Sequence, residues 1–128
     1  MAADHWLTFN TLSLLGGALA GQGADPALTV AARIDKLREA EPLLLEAFEG
    51  LRASEEEIPA AYRETRLREA LERIVQLYHA WHAAEPDAGH DARGASWRAE
   101  LEQRLAESKA ARSQEKEPES DFDNPNGG

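Results

Sequence analysis

Two histidines, His79 and His82, stand three residues apart in the run LREALERIVQLYHAWH, and Asp87, His90 and Asp91 follow shortly after. Side chains three apart on a helix share one side, so this set could gather around zinc, which takes imidazole nitrogens and carboxylate oxygens. No HExxH motif supplies the general base of a metalloprotease. His82 turns toward an apolar stripe, His79 toward its margin, and the remaining donors fall in a loop. Packing and surface roles are therefore the preferred reading of His79, His82 and His90, with metal binding as the rival.

Carboxylates are plentiful, among them Glu39, Glu41, Glu46, Glu55, Glu56 and Glu57. Acid–base chemistry needs a partner that tunes such groups. No buried His, Ser or second carboxylate is indicated beside them, so they read as solvated side chains. Trp6, Trp81 and Trp97 could wall an aromatic ligand, but tryptophans at helical spacing read first as core. Arg63, Arg66, Arg68 and Arg73 could receive an acidic peptide terminus; a salt-bridged surface is the plainer reading. The expected protein is not an enzyme and carries no cofactor.

The elements that position these residues are helices. Leu67, Leu71, Ile74, Val75, Tyr78 and Trp81 recur at helical spacing on one face, and a helix beginning near Ala60 carries them. Its exposed side pairs Glu64 with Arg68 and Glu69 with Arg73, four apart. A first helix, with Asp4 as cap, presents Trp6, Phe9, Leu12, Leu15 and Leu19 and ends near Gly21 and Gly23. Gly16 and Gly17 in its middle predict a closely approaching neighbour.

Asp25 followed by Pro26 predicts a second helical stretch from Ala27, which Pro42 bends or breaks. Leu44, Ala47, Phe48 and Leu51 form its inner face. Ser54 and Glu57 have capping-box spacing, and Pro59 stands near the next helix start. Glu85 to Asp91 reads as a loop whose Asp91 caps a last helix through Trp97, Leu101 and Leu105, fading by Arg112. From Ser113 on, acids, prolines and glycines surround the lone Phe122, so residues 113–128 are expected to be a disordered acidic tail after a helical domain over residues 1–112.

The 128 residues suffice for one domain. Ala and Leu dominate the apolar set, which favours helices over strands. The formal net charge of -10 with no basic cluster disfavours nucleic-acid and anionic-membrane binding. The chain has no cysteine, so disulfides, thiolate metal sites and a cysteine nucleophile are excluded. Its longest nearly apolar run, Leu12 to Ala20, is too short to span a bilayer, and a cytoplasmic location is expected.

Leu15, Gly16, Leu19 and Gly23, with Ala40, Leu44 and Ala47, look like the two helices of a tetratricopeptide repeat, a helix-turn-helix unit of about 34 residues. Ile74, Val75, Tyr78 and His82, followed by Gly94, Ala95 and Trp97, look like a second one, with Leu71 and Trp81 on the same packing face. The runs TFNTLSLLGGAL, AEPLLLEAFEGL, LREALERIVQLYHAW and SWRAEL resemble the C-terminal end of tetratricopeptide arrays in bacterial multidomain proteins, many of which also carry a serine/threonine kinase domain. No kinase signature is present.

Two departures stand out: lengthened connections at Ala24 to Glu39, a segment that could be helix or loop, and at Glu85 to Arg93, and His82 where a small residue is usual. The resemblance implies an all-α fold of four to five helices in antiparallel hairpins. It further implies a non-catalytic scaffold or adaptor whose partner is another protein, a peptide or a helical repeat. Two repeats leave an apolar flank through which the chain could also form a homodimer.

Overall fold

The computed structural model describes residues 5–123, with side chains described as far as Ser113. Among the described residues four helices, α1 (His5–Gly23), α2 (Val30–Ala53), α3 (Ala60–Ala84) and α4 (His90–Asp123), follow one another, with a 3-10 turn at Glu55–Glu57 before α3. The described residues contain no strand. α1 packs on α2 and α3 on α4 as antiparallel hairpins, and α3 also packs on both helices of the first hairpin. That central position explains its composition. α3 buries Leu67, Ala70, Leu71, Ile74, Val75, Leu77, Tyr78, Ala80 and Trp81, a band too broad for one helix contact because three neighbours share it.

α2 turns Leu37, Ala40, Leu44, Ala47, Phe48 and Leu51 into the core, all essentially inaccessible to solvent. Close approach of α1 to this face depends on residues without a side chain. A Cβ on Gly16 would stand 2.7 Å from Leu44 Cγ, and a Cβ on Gly50 would fall against the Phe9 ring, so here the lost helix propensity is offset by contact. Gly21, by contrast, has nothing within 4 Å of where a Cβ would be.

The same substitution should thus change sign with position. Gly50→Ala is expected to destabilise by about 1–2 kcal/mol, overpacking outweighing the gain in helix propensity. Gly21→Ala is expected to stabilise by a few tenths of a kcal/mol. Denaturant melts of the two variants check this pair.

Several local expectations are corrected. α2 starts at Val30, not Ala27, because Thr29 is its cap, its hydroxyl accepting from Ala32 N at 3.1 Å. The Asp25 carboxylate instead accepts from Ala27 N and closes a turn. Most of Ala24 to Glu39, which the sequence leaves open between helix and loop, is therefore the first part of α2. Pro42 leaves α2 one continuous helix. Pro42 and Arg38, whose carbonyl loses its bond, both face solvent, where water can satisfy that carbonyl.

Ser54 makes no side-chain cap, and α3 begins behind Pro59. Asp91 lies inside the first turn of α4 and is not its cap. The pairs Glu64–Arg68 and Glu69–Arg73 do not form: Arg66 reaches Glu69 at 3.2 Å, Arg68 approaches Glu72 at 3.7 Å, and Glu64 meets Arg112 at 3.2 Å.

The backbone of α4 remains helical beyond Arg112, to Asp123. Good helix formers such as Gln114, Glu115 and Lys116 favour that continuation. Side chains from 114 on, that of Phe122 among them, and all of 124–128 lie outside the described residues; the Asp4 cap also lies outside. No described helix is long and apolar enough to cross a membrane.

Candidate functional site

α1 is apolar nearly all round, so its sequence periodicity does not define a buried face. The structure does. Trp6, Ser13, Gly16, Ala20 and Gly23 are buried, with Phe9 and Leu19 packed against the core. Leu15, placed by spacing on the packing side, points outward at 51% exposure. Ser13 occupies the inner face in its stead, fully buried, and accepts a hydrogen bond from Arg73 Nη1 at 2.9 Å. Arg73 is accordingly an interior partner of α1 and not one of a row of solvated cations.

The outer face of α1 carries Leu7, Thr11, Leu14, Leu15 and Ala18, and Leu7, Leu14 and Leu15 are each about half exposed. Not one Asp, Glu, Lys or Arg occurs between His5 and Gly23, in a chain that is 30% charged. A contiguous exposed apolar strip of this kind marks an interaction surface. Leu7, Thr11, Leu14 and Ala18 were not singled out from the sequence, although the missing charge is visible there.

A second feature lies where α3 meets α4. A cleft of about 260 Å³ is lined by Tyr78, His79, His82, His90, Asp91 and Arg98, among others, so the three histidines line one cleft, two from α3 and one from α4. They are not equivalent. His79 is exposed and His82 half-buried, with its Nδ1 buried and lacking a hydrogen-bond partner. His90 is 4% exposed and its ring lies 4.2 Å from that of Trp81, nearly parallel.

Both nitrogens of His90 are engaged. Nδ1 is 2.9 Å from Arg93 Nη1, and Nε2 is 3.3 Å from Glu85 Oε1. A guanidinium can only donate, so Nδ1 accepts and Nε2 carries the proton that it donates to Glu85. Ligating a metal would break one of these bonds. Among the described residues no group of three or more His, Cys, Asp or Glu is placed to hold a metal ion.

Beside this cleft the Tyr78 hydroxyl donates to Glu41 Oε2 at 2.7 Å. Glu41 is thus a tertiary partner, unlike the solvent-facing Glu39, Glu46, Glu56 and Glu57. Burial, reinforced by this hydrogen bond and the carboxylate charge, pushes the Tyr78 phenol well above its ordinary value. The folded protein then holds its phenolic proton more tightly than the unfolded chain does. Stability from this source is complete below about pH 10 and is lost as pH rises above it. Tyr78→Phe should flatten that loss, seen as a smaller drop in urea midpoint than wild type between about pH 9 and 11. Parallel drops in both proteins would contradict it.

Of the residues expected to pack the hairpins, Gly16, Gly23, Ala40, Leu44, Ala47, Leu71, Ile74, Val75, Tyr78 and Trp81 are buried, Leu19 and Trp97 are partly buried, and Leu15 is not. Trp6 and Trp81 are core residues, and Trp97 packs edge-on against Phe48 at 5.6 Å. Arg63 ties down the start of α3 by donating to the Ile58 carbonyl at 3.0 Å, while Arg66 lies over the Tyr62 ring. These contacts account for two of the cations that could have met an acidic peptide. Compared with known proteins, the chain matches no family model, no curated protein and no solved structure.

Proposed function

We propose that this chain is a non-catalytic protein-interaction module, an adaptor of stacked helical hairpins in the manner of tetratricopeptide arrays, acting in the cytoplasm. The observation that carries this reading is the outer face of α1, where Leu7, Leu14 and Leu15 stand half exposed on a helix free of charged residues. Unoccupied, such a strip costs solubility; buried against a partner it contributes about 25 cal/mol per Å² of apolar area.

Support also comes from the stacking, since α3 packs on both helices of the preceding hairpin, as units of a repeat array must in order to bury a continuous core. The first hairpin runs from His5 to Ala53, longer than the roughly 34 residues of a tetratricopeptide unit, with the surplus in the helices. Its grooves are correspondingly longer, and helix-face contact is favoured over capture of a short extended peptide.

Affinity capture from the encoding organism tests the module, with wild type and Leu14→Glu as parallel baits. Partners held by wild type and lost by the variant support it. Equal recovery by both baits would remove the outer face of α1 from the function.

A further inference from the structure

We infer that the outer face of α1 docks a second copy of this chain, the two α1 helices lying antiparallel across a two-fold axis. This deepens the interaction-module reading and rests on it, by naming the partner. Three features of the surface lead there.

The exposed residues Leu7, Thr11, Leu14, Ala18 and Gly21 are spaced four, three, four and three apart. That alternation is the 3.5-residue period by which two helices keep one seam in register along their length, crossing at about 20°. The seam is about 21 Å long at 1.5 Å per residue. Its one hydroxyl is already satisfied, since Thr11 Oγ1 donates to the Leu7 carbonyl at 3.0 Å, so burying the seam strands no donor.

The seam also tapers. Its N-terminal end carries Leu7, and its C-terminal end carries Ala18 and Gly21, where nothing lies within 4 Å of a would-be Gly21 Cβ. Antiparallel pairing sets the bulky end of each copy against the small end of the other and leaves Leu14 near the middle. Parallel pairing would stack leucine on leucine at one end and leave a void at the other, which costs packing contacts. A two-fold axis perpendicular to the helix gives the antiparallel arrangement and uses one patch on both partners.

Charge selects the same occupant. Each copy has a formal net charge of -10, so two copies repel at most orientations. α1, with no Asp, Glu, Lys or Arg, is the helix along which they can meet without setting carboxylates against each other. A basic partner would find no acidic residue on α1 to pair with.

Sedimentation equilibrium of the full chain from about 1 to 100 μM tests this. Wild type should approach twice the 14.1 kDa monomer mass. Leu14→Glu should weaken association by about a hundredfold or more, because it sets two carboxylates close together at the seam, while its dilute circular-dichroism melt stays that of wild type. The cysteine-free chain permits a second readout. Under mild oxidation, Leu7→Cys mixed with Ala18→Cys should cross-link between copies, and Leu7→Cys alone should not.

A wild-type chain that stays monomeric throughout overturns the second copy as occupant, and so does a dimer that Leu14→Glu leaves intact. Cross-linking of Leu7→Cys alone overturns the antiparallel arrangement. A monomer whose capture from lysate still depends on Leu14 leaves the module reading standing with a different partner. If capture is also indifferent to Leu14, both readings fall.

Discussion

Phe48→Ala is expected to cost about 3–5 kcal/mol, a large share of the roughly 5–15 kcal/mol that holds a domain of this size folded. The side chain is 1% exposed. Its ring and that of Trp97 are T-shaped, 5.6 Å apart with an 88° interplanar angle, an arrangement that adds about 0.5–1.5 kcal/mol beyond the buried area. Phe48 lies on α2 and Trp97 on α4, so this pair fastens the last helix to the first hairpin. Removing the ring also opens a cavity between helices that cannot easily collapse onto it.

Chemical denaturation should show a lower midpoint with an unchanged slope. Phe48→Leu should recover most of the loss, leaving a deficit of about 1 kcal/mol from the missing aromatic pair. A Phe48→Ala protein within about 1 kcal/mol of wild type would place the energetic centre of the domain elsewhere.

The four helices differ in how much of each is legible in the sequence. α3 was legible because its charged and apolar residues separate cleanly, and its boundary near Ala60 followed. α1 existed in the pattern but its orientation did not. With leucines or alanines on every side, Leu15 and Leu12 were equally good candidates for the core, and only the glycines at 16 and 50 decide which side can touch α2. For α2 the sequence reading rested on Asp25 with Pro26, which closes a turn instead; Thr29, where the chain enters the hairpin, was not singled out and is the cap.

The candidate sites divide in the same way. The three histidines line one cleft, since helix spacing fixes His79 and His82 and a short loop returns His90. Their chemistry was not legible, because the partners of His90 are set by the path of the loop, with Gly89 at a φ of +84°. Nor could any local pattern foresee the bond between Ser13 and Arg73, sixty residues apart. Ion pairs on α3 were misassigned for a simpler reason: at exposed sites three- and four-residue spacings differ by only tenths of a kcal/mol. The outer face of α1 carried a signal of another kind, an absence of charge, which periodicity does not measure.

The other large effect is expected at Trp81, where the second hairpin closes. Its ring is 5% exposed, stacks on His90 at 4.2 Å, and donates from Nε1 to Glu85 Oε1 at 3.0 Å. Glu85 Oε1 is also the acceptor for His90 Nε2. One carboxylate oxygen therefore couples the end of α3 to the start of α4, and Trp81 supplies both the donor and the surface on which His90 rests.

Trp81→Ala should cost about 3–5 kcal/mol, comparable with Phe48→Ala but differently distributed. Because the lost contacts belong to the α3–α4 junction, amide exchange should accelerate most over His90 to Leu101 and least in α1. Trp81→Phe separates the two roles: it keeps a ring against His90, loses the Nε1 donor, and should cost about 1–2 kcal/mol. Uniform acceleration of exchange across all four helices would mean that the hairpins unfold as one unit and that the junction has no local stability of its own. Acceleration confined to α4 would identify the second hairpin as the part that opens first, leaving the first hairpin and the outer face of α1 folded.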